Sequence, residues 1–271
     1  MTTSPSTPLV SIITPVFNNW RFLEQLRASL LRNTPREMIE IIFVDNGSTE
    51  PQMDHLYSSL DALGERVVRN GKNLGFGRAN NIGFAQSRGD FLCLLNSDML
   101  VTPGWLEPLL TTMLNNPTCG AVQSKILLVD DGPLGTWKTQ TCGAAFDNRG
   151  LPAYFLSGFG SDAPEVNKPL RLQAFMGTGV LLRKLAVDTV GGFDEEYDLV
   201  FMEDTDLSLR MSEAGFTTLY EPRSLLYHFH STSMPHLSQE EYDRSRVNNV
   251  RRFTEKWPPK RIGKIMENLG F

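Results

Sequence analysis

Apolar and polar positions alternate with two different periods along the first half of the chain. Val10-Ser-Ile-Ile-Thr-Pro-Val16 is a short apolar run set between prolines, the pattern of a strand buried on both faces. Phe22, Leu23, Leu26, Leu30 and Leu31 then recur at helical spacing. A second apolar run, Ile39-Glu-Ile-Ile-Phe-Val44, ends in Asp45-Asn-Gly-Ser48. A helix over 52–63, a brief strand at Val67-Val68, a glycine-rich stretch from Gly71 to Gly77 and a helix over 78–87 follow. A third strand over 90–95 runs into Asn96-Ser-Asp98, and Thr102-Pro-Gly-Trp105 has the composition of a helix start. Strand and helix in alternation predict an α/β chain with a mostly parallel central sheet flanked by helices.

The second half is less regular. Residues 129–170 are rich in Gly, Pro and Asp and are expected to form loops and small strands. Buried strands are expected over 175–182, 216–220 and 225–227, the last ending at His228-Phe-His230. A helix is expected over 204–214, with Gly215 at its end.

Composition narrows the class. Hydrophobic residues make up 41% and charged residues 21% of 271 residues, so the chain is globular rather than disordered. No apolar run is long enough to span a bilayer, and residues 1–8, Ser/Thr/Pro-rich and expected to be flexible, lack the features of a secretory signal. Three widely spaced cysteines, Cys93, Cys119 and Cys142, suit neither a disulfide framework nor a zinc site, and point to a reducing, cytoplasmic setting. The overall charge of −5 hides an asymmetry: residues 244–271 hold eight basic groups against two acids, a local +6 that leaves −11 elsewhere. That sign excludes a nucleic-acid coat. A basic C-terminal helical extension, 234–271, could still touch an anionic membrane on its inner face.

Chemistry should gather where the strands end. Ligands of open parallel sheets bind outside the carboxyl ends of the strands, and Asp45-Asn46 and Asn96-Ser97-Asp98 are expected to share one sheet edge. Gly75-Phe-Gly77-Arg-Ala-Asn80 falls short of the dinucleotide fingerprint, and no phosphate-binding P-loop occurs. Glu203-Asp-Thr-Asp206 sits where a loop becomes a helix, among Leu199-Val-Phe-Met202 and Leu207. Apolar walls raise a carboxylate's proton affinity, which suits a general base. His228 and His230 would point to one face of a strand, and one imidazole with one carboxylate suits a divalent cation shared with a phosphorylated ligand.

The order of these motifs resembles glycosyltransferase family 2, with a rhamnosyltransferase-like character. The resemblance is carried by Val10-Ser-Ile-Ile-Thr-Pro-Val-Phe-Asn18, Val44-Asp-Asn-Gly-Ser48, Asn73-Leu-Gly-Phe76 with Asn80-Asn-Ile-Gly83, and Leu95-Asn-Ser-Asp98. Gly192-Phe-Asp194, Glu203-Asp-x-Asp206-Leu-x-x-Arg210 and the His228 region continue it, so that it covers about 9–233. It implies a GT-A fold, with a nucleotide-binding half (9–128) and an acceptor or catalytic half (129–233). It also implies inverting transfer from a nucleotide-sugar to a carbohydrate, lipid-linked or small-molecule hydroxyl, with Mn²⁺ or Mg²⁺.

Carried over by position, Pro15, Val16, Phe17, Asp45, Asn46, Asn73, Gly75, Phe76, Asn80, Asn96, Ser97 and Asp98 would bind the donor. Asp98 and His228 would ligate the metal. Asn96 stands where the family's D-x-D motif has its first acid, so it brings no charge. Asp204 would be the base and Glu203 its orienting or acceptor-contacting neighbour, while Asp206 would pair with Arg210 at i+4. Gly177, Thr178, Trp137 and His230 are assigned to the acceptor side; aromatic rings such as Trp137 and Tyr154 suit sugar faces. A nucleotidyltransferase is disfavoured because no basic glycine-rich loop follows the first strand. A catalytically silent sugar- or nucleotide-binding module is disfavoured because Asp98 and Asp204 are both present.

Overall fold

The apolar runs become strands with both faces covered. The computed structural model describes residues 10–62, 65–129, 137–229 and 238–271; the N-terminal 1–8 and His230 lie outside that set. The chain runs β1 (Val10–Val16), α1 (Trp20–Asn33), β2 (Ile39–Asp45), α2 (Pro51–Ala62), β3 (Arg66–Arg69), α3 (Phe76–Gln86), β4 (Phe91–Leu94), β5 (Met99–Val101) and α4 (Leu106–Asn115). It continues through β6 (Cys119–Leu128), β7 (Lys138–Thr141), β8 (Ala144–Phe146), β9 (Pro152–Tyr154), β10 (Leu170–Leu172), β11 (Val180–Arg183), α5 (Lys184–Val190), α6 (Glu203–Glu213), β12 (Thr217–His228), α7 (Gln239–Lys256) and α8 (Pro259–Asn268).

The main sheet orders its strands β10-β12-β6-β11-β4-β1-β2-β3. Along β1 and β2, alternate residues enter opposite cores: Ile12, Ile41 and Phe43 face one, Ile13, Ile42 and Val44 the other. That division is why these runs are apolar throughout rather than at every second position.

The sheet is parallel across β4-β1-β2-β3 and at β12-β6, as expected, with β11 antiparallel to both β4 and β6. Two expectations need correction. The strand expected over 175–182 is only Val180–Arg183, because the preceding residues, with Gly179 at φ 63°, turn away as a loop. The two strands expected over 216–227 are one, Thr217–His228, with a register shift between Glu221 and Leu225 that accommodates Pro222. The long strand β6 went unrecognised because Gln123, Ser124 and Lys125 interrupt its apolar pattern. Each is buried by being bonded: Gln123 Nε2 donates to the Thr178 and Gly179 carbonyls at 2.9 and 3.1 Å, and Lys125 Nζ donates to Asn167 Oδ1 at 2.6 Å.

The C-terminal extension is part of the core. Trp257 and Pro258 separate its two helices, and Phe253, Trp257, Ile262 and Ile265 pack with Tyr197 and Leu209. Four of its eight basic groups are paired inside the chain: Arg244 with Asp198, Arg252 with Asp194, Lys256 with Asp194 and Asp206, and Arg261 with Glu213. Arg246, Arg251, Lys260 and Lys264 remain exposed. Among the described residues no helix is long and apolar enough to cross a membrane.

Trp257, 1% exposed, also donates its indole N–H to Asp206 Oδ1 at 2.8 Å. Trp257→Ala is expected to cost about 3–5 kcal/mol, read from the urea midpoint. A loss below about 1 kcal/mol, the size of an ordinary surface substitution, would show that the extension is peripheral to stability.

Candidate active site

Because β1, β2 and β4 are parallel, their carboxyl ends open on one edge, and a cleft of about 640 Å³ lies there. Pro15, Val16 and Phe17 from β1, Asn46 after β2, and Asn96, Ser97 and Asp98 after β4 line it. Asn73, Gly75 and Phe76 ahead of α3 join them, as do Gly177, Thr178, Glu203, Asp204 and His228. Asp45, Asn80 and Trp137 do not line it. Asp45 Oδ1 accepts from Tyr57 Oη at 2.9 Å and Ser48 N at 3.0 Å, holding the turn after β2. Asn80 is fully buried and donates to the Phe76 carbonyl at 2.9 Å. Trp137 is exposed and packs on Tyr227, ring centroids 5.0 Å apart.

The loops that shape the cleft are tied to each other. Asn73 Oδ1 accepts from Gly75 N at 2.9 Å, and Asn46 Nδ2 donates to the Gly75 carbonyl at 3.2 Å. Gly75 has φ 85°, and a Cβ there would meet the Leu199 backbone at 2.9 Å, so the position requires glycine. Gly177 is equally constrained: a Cβ would lie 2.9 Å from Phe76 and 3.0 Å from the Asp204 side chain. Thr178 Oγ1 accepts from Asn96 N at 3.0 Å, joining the loop before β11 to the end of β4.

Asp98 and His228 lie side by side. His228 Nε2 lies 3.0 Å from Asp98 Oδ1, and both residues are 3% exposed. His228 Nδ1 is 2.7 Å from Gln140 Oε1; in the tautomer that carries its proton on Nδ1, the Nε2 lone pair faces the carboxylate and can ligate a cation beside it. An oxygen and an imidazole nitrogen suit Mn²⁺ or Mg²⁺ with further oxygens from a ligand. Among the described residues no group of three or more His, Cys, Asp or Glu forms a self-sufficient metal cage. The donor set therefore fits a cation shared with a bound phosphate.

The acid pair opens α6 from a strained approach. Phe201 and Met202 have φ 83° and 71°, and left-handed non-glycine residues cost about 1–3 kcal/mol each. Asp204 Oδ2 accepts from Gly177 N at 2.8 Å, and Oδ1 accepts from Thr205 N at 2.6 Å. Burial raises the Asp204 carboxyl above its ordinary value despite these donors. Glu203 is raised much further, by burial first and by the neighbouring Asp204 charge second. Its Oε2 is buried and has no hydrogen-bond partner among the described residues. Asp206 turns the other way, fully buried, and accepts from Arg210 Nε at 2.7 Å as the i+4 spacing predicts.

The Glu203 shift has a sign that can be measured. The native protein keeps this proton to a higher pH than the unfolded chain, whose glutamate releases it near about 4.3. Stability therefore falls as pH rises from about 4.3 toward the native value, and this contribution is level above it. Glu203→Gln is expected to melt above wild type at about pH 7.5 and alongside it near pH 4. Parallel melting profiles would contradict a protonated Glu203.

Gln140, Tyr154, Met176 and Tyr242 also line the cleft. Of these, sequence reading named only Tyr154; Gln140 and Tyr242 arrive from β7 and α7, and no local pattern marks them.

The model of the family described as "Glycosyl transferase family 2" matches residues 11–189. The inactive polypeptide N-acetylgalactosaminyltransferase-like protein 5 of Macaca fascicularis is 31% identical over 232 residues, covering 82% of this chain and 51% of that protein. The pre-mycofactocin glycosyltransferase of Mycobacterium tuberculosis (strain ATCC 25618 / H37Rv) is 29% identical over 234 residues, covering 85% and 44%. The chain thus spans about half, or less, of the length of these relatives. The crystal structure of GalNAc-T7 with UDP, GalNAc and Mn²⁺ superposes with a TM-score of 0.67 at 20% identity, covering 83% of this chain and 44% of that one. The fold is of the GT-A type.

Proposed function

The chain belongs to glycosyl transferase family 2, and from that premise we propose that it moves a sugar from a nucleoside-diphosphate sugar to an acceptor hydroxyl, with inversion at the anomeric carbon. Membership does not by itself confer turnover, since one relative is named inactive. The observation that carries the proposal is Asp204: a rigidly bonded carboxylate of raised proton affinity on the wall of the cleft that also holds Asp98 and His228.

In this mechanism Pro15 to Phe17, Asn46 and Asn73 hold the nucleotide, and Asn96 contributes hydrogen bonds without charge. Asp98 and His228 would hold Mn²⁺ or Mg²⁺, which would supply charge neutralisation at the departing diphosphate. Asp204 takes the acceptor's hydroxyl proton as that oxygen bonds to the anomeric carbon and the carbon–phosphate-oxygen bond breaks. Glu203, kept neutral, offers its orphan oxygen to a sugar hydroxyl. Three free buried cysteines accord with a reducing, cytoplasmic setting. Arg246, Arg251, Lys260 and Lys264, exposed on the extension, suit a lipid-linked acceptor at an anionic surface.

A thermal-shift screen of UDP-, dTDP- and GDP-sugars with Mn²⁺ tests donor use. A ligand at 100 times its Kd stabilises the native state by about 2.7 kcal/mol. One donor class should raise Tm only with metal; no shift from any donor would overturn the proposal.

A further inference from the structure

The segment that delivers the acid pair is held from outside. Residues 198–202 belong to no helix or strand, and they end in the left-handed Phe201 and Met202. Asn249, in the middle of α7 and 1% exposed, lies across them. Its Oδ1 accepts from Asp198 N at 2.8 Å. Its Nδ2 donates to the Val200 carbonyl at 2.7 Å and the Phe201 carbonyl at 3.0 Å, with the Asp198 carbonyl at 3.4 Å. Tyr242, seven residues earlier on the same helix, lines the cleft and sets its ring edge-on to Phe201, centroids 5.2 Å apart.

Helix stability does not ask for asparagine at a buried interior position; its side chain competes with the backbone there, and an apolar residue would pack without that conflict. What asparagine supplies is a donor and an acceptor on one short arm. That combination matches a turn whose carbonyls and N–H have no ladder partners of their own.

We propose that Asn249 is a positioning residue for sugar transfer: by fixing the Asp198, Val200 and Phe201 backbone, it holds the left-handed turn that aims Asp204 into the cleft. The C-terminal extension then contributes a positioning residue to the site, although it lies beyond the residues the family model matches. This rests on Asp204 acting as the base. Trp257 and Lys256, bonded to Asp206 at 2.8 and 2.7 Å, secure the same helix one turn further on, so the extension grips the acid pair from both sides.

The test compares Asn249→Ala and the near-isosteric Asn249→Asp with Phe253→Leu, which loosens the same helix without touching the turn. Turnover is expressed per donor-binding site, counted by calorimetry, so that loss of folded protein cancels. Both Asn249 variants should lose about 10²-fold in kcat per site, the scale of a misplaced reacting group, while KM for the donor holds. Phe253→Leu should stay within about twofold of wild type. Equal values for all three, or loss of folding in both Asn249 variants, would overturn the positioning role. Amide hydrogen exchange over residues 201–205 separates this from the functional reading. If wild type turns over no donor, that reading fails, while faster exchange in Asn249→Ala still supports the clamp and unchanged exchange removes it.

Discussion

Asp204→Asn lowers turnover by about 10²–10⁴, the usual worth of a positioned base, and leaves donor affinity near wild type. The expectation follows from how the three neighbouring acids are partnered. Asp206 is fully buried and already accepts from Arg210, Trp257 and Lys256 at 2.7 to 2.8 Å, so it is structural. Glu203 is raised well above the ordinary glutamate range, by burial first and by Asp204 second, which favours its protonated form over service as the base. Asp204 combines a raised proton affinity with fixed geometry from the Gly177 and Thr205 amides. Because a base works only when ionised, wild-type turnover should rise with pH through a value above the ordinary aspartate range. Asn removes that limb along with the rate. Calorimetry with the donor and initial rates across pH check both parts. Activity retained in Asp204→Asn but lost in Glu203→Gln would move the base by one residue.

Asp98→Ala removes metal-dependent transfer, by more than about 10²-fold, since even outer-shell partners of metal ligands are worth 10–100-fold. Asp98 is 3% exposed and brings the only full negative charge among Asn96-Ser97-Asp98. With Asn96 in place of an acid, the segment 96–98 holds no second carboxylate to substitute for it. His228→Ala should cost less, because water or a phosphate oxygen can occupy a neutral ligand's position. Mn²⁺ affinity in the presence of UDP, with circular dichroism to verify the fold, separates lost binding from lost structure. Normal turnover of Asp98→Ala in metal or in chelator would withdraw the assignment.

How much of this was legible in advance follows the range of the interactions. β1, β2 and β4 were readable because burial on both faces leaves a continuous apolar run, and their polar ends marked the cleft edge. The Asp206–Arg210 pair was readable because i+4 spacing is local, and it is realised at 2.7 Å. β6 was missed because its polar side chains are satisfied by residues far along the chain, such as Gln123 by the Thr178 and Gly179 carbonyls. Gln140, Tyr242 and Asn249 reach the cleft or its supporting turn from β7 and α7 through tertiary folding alone. The local +6 of the extension suggested a membrane surface. Half of those basic groups instead answer Asp194, Asp198, Asp206 and Glu213, a pairing that net charge along a sequence cannot reveal.

The central claim is a single displacement at the anomeric carbon with Asp204 as base, and product stereochemistry tests it most directly. Proton NMR of the reaction mixture, with the donor identified by thermal shift, reports the anomeric configuration as product forms. The product should have the configuration opposite to the donor's, with nucleoside diphosphate released in equal amount and almost none of either from Asp204→Asn. A product that retains the donor's configuration would contradict it.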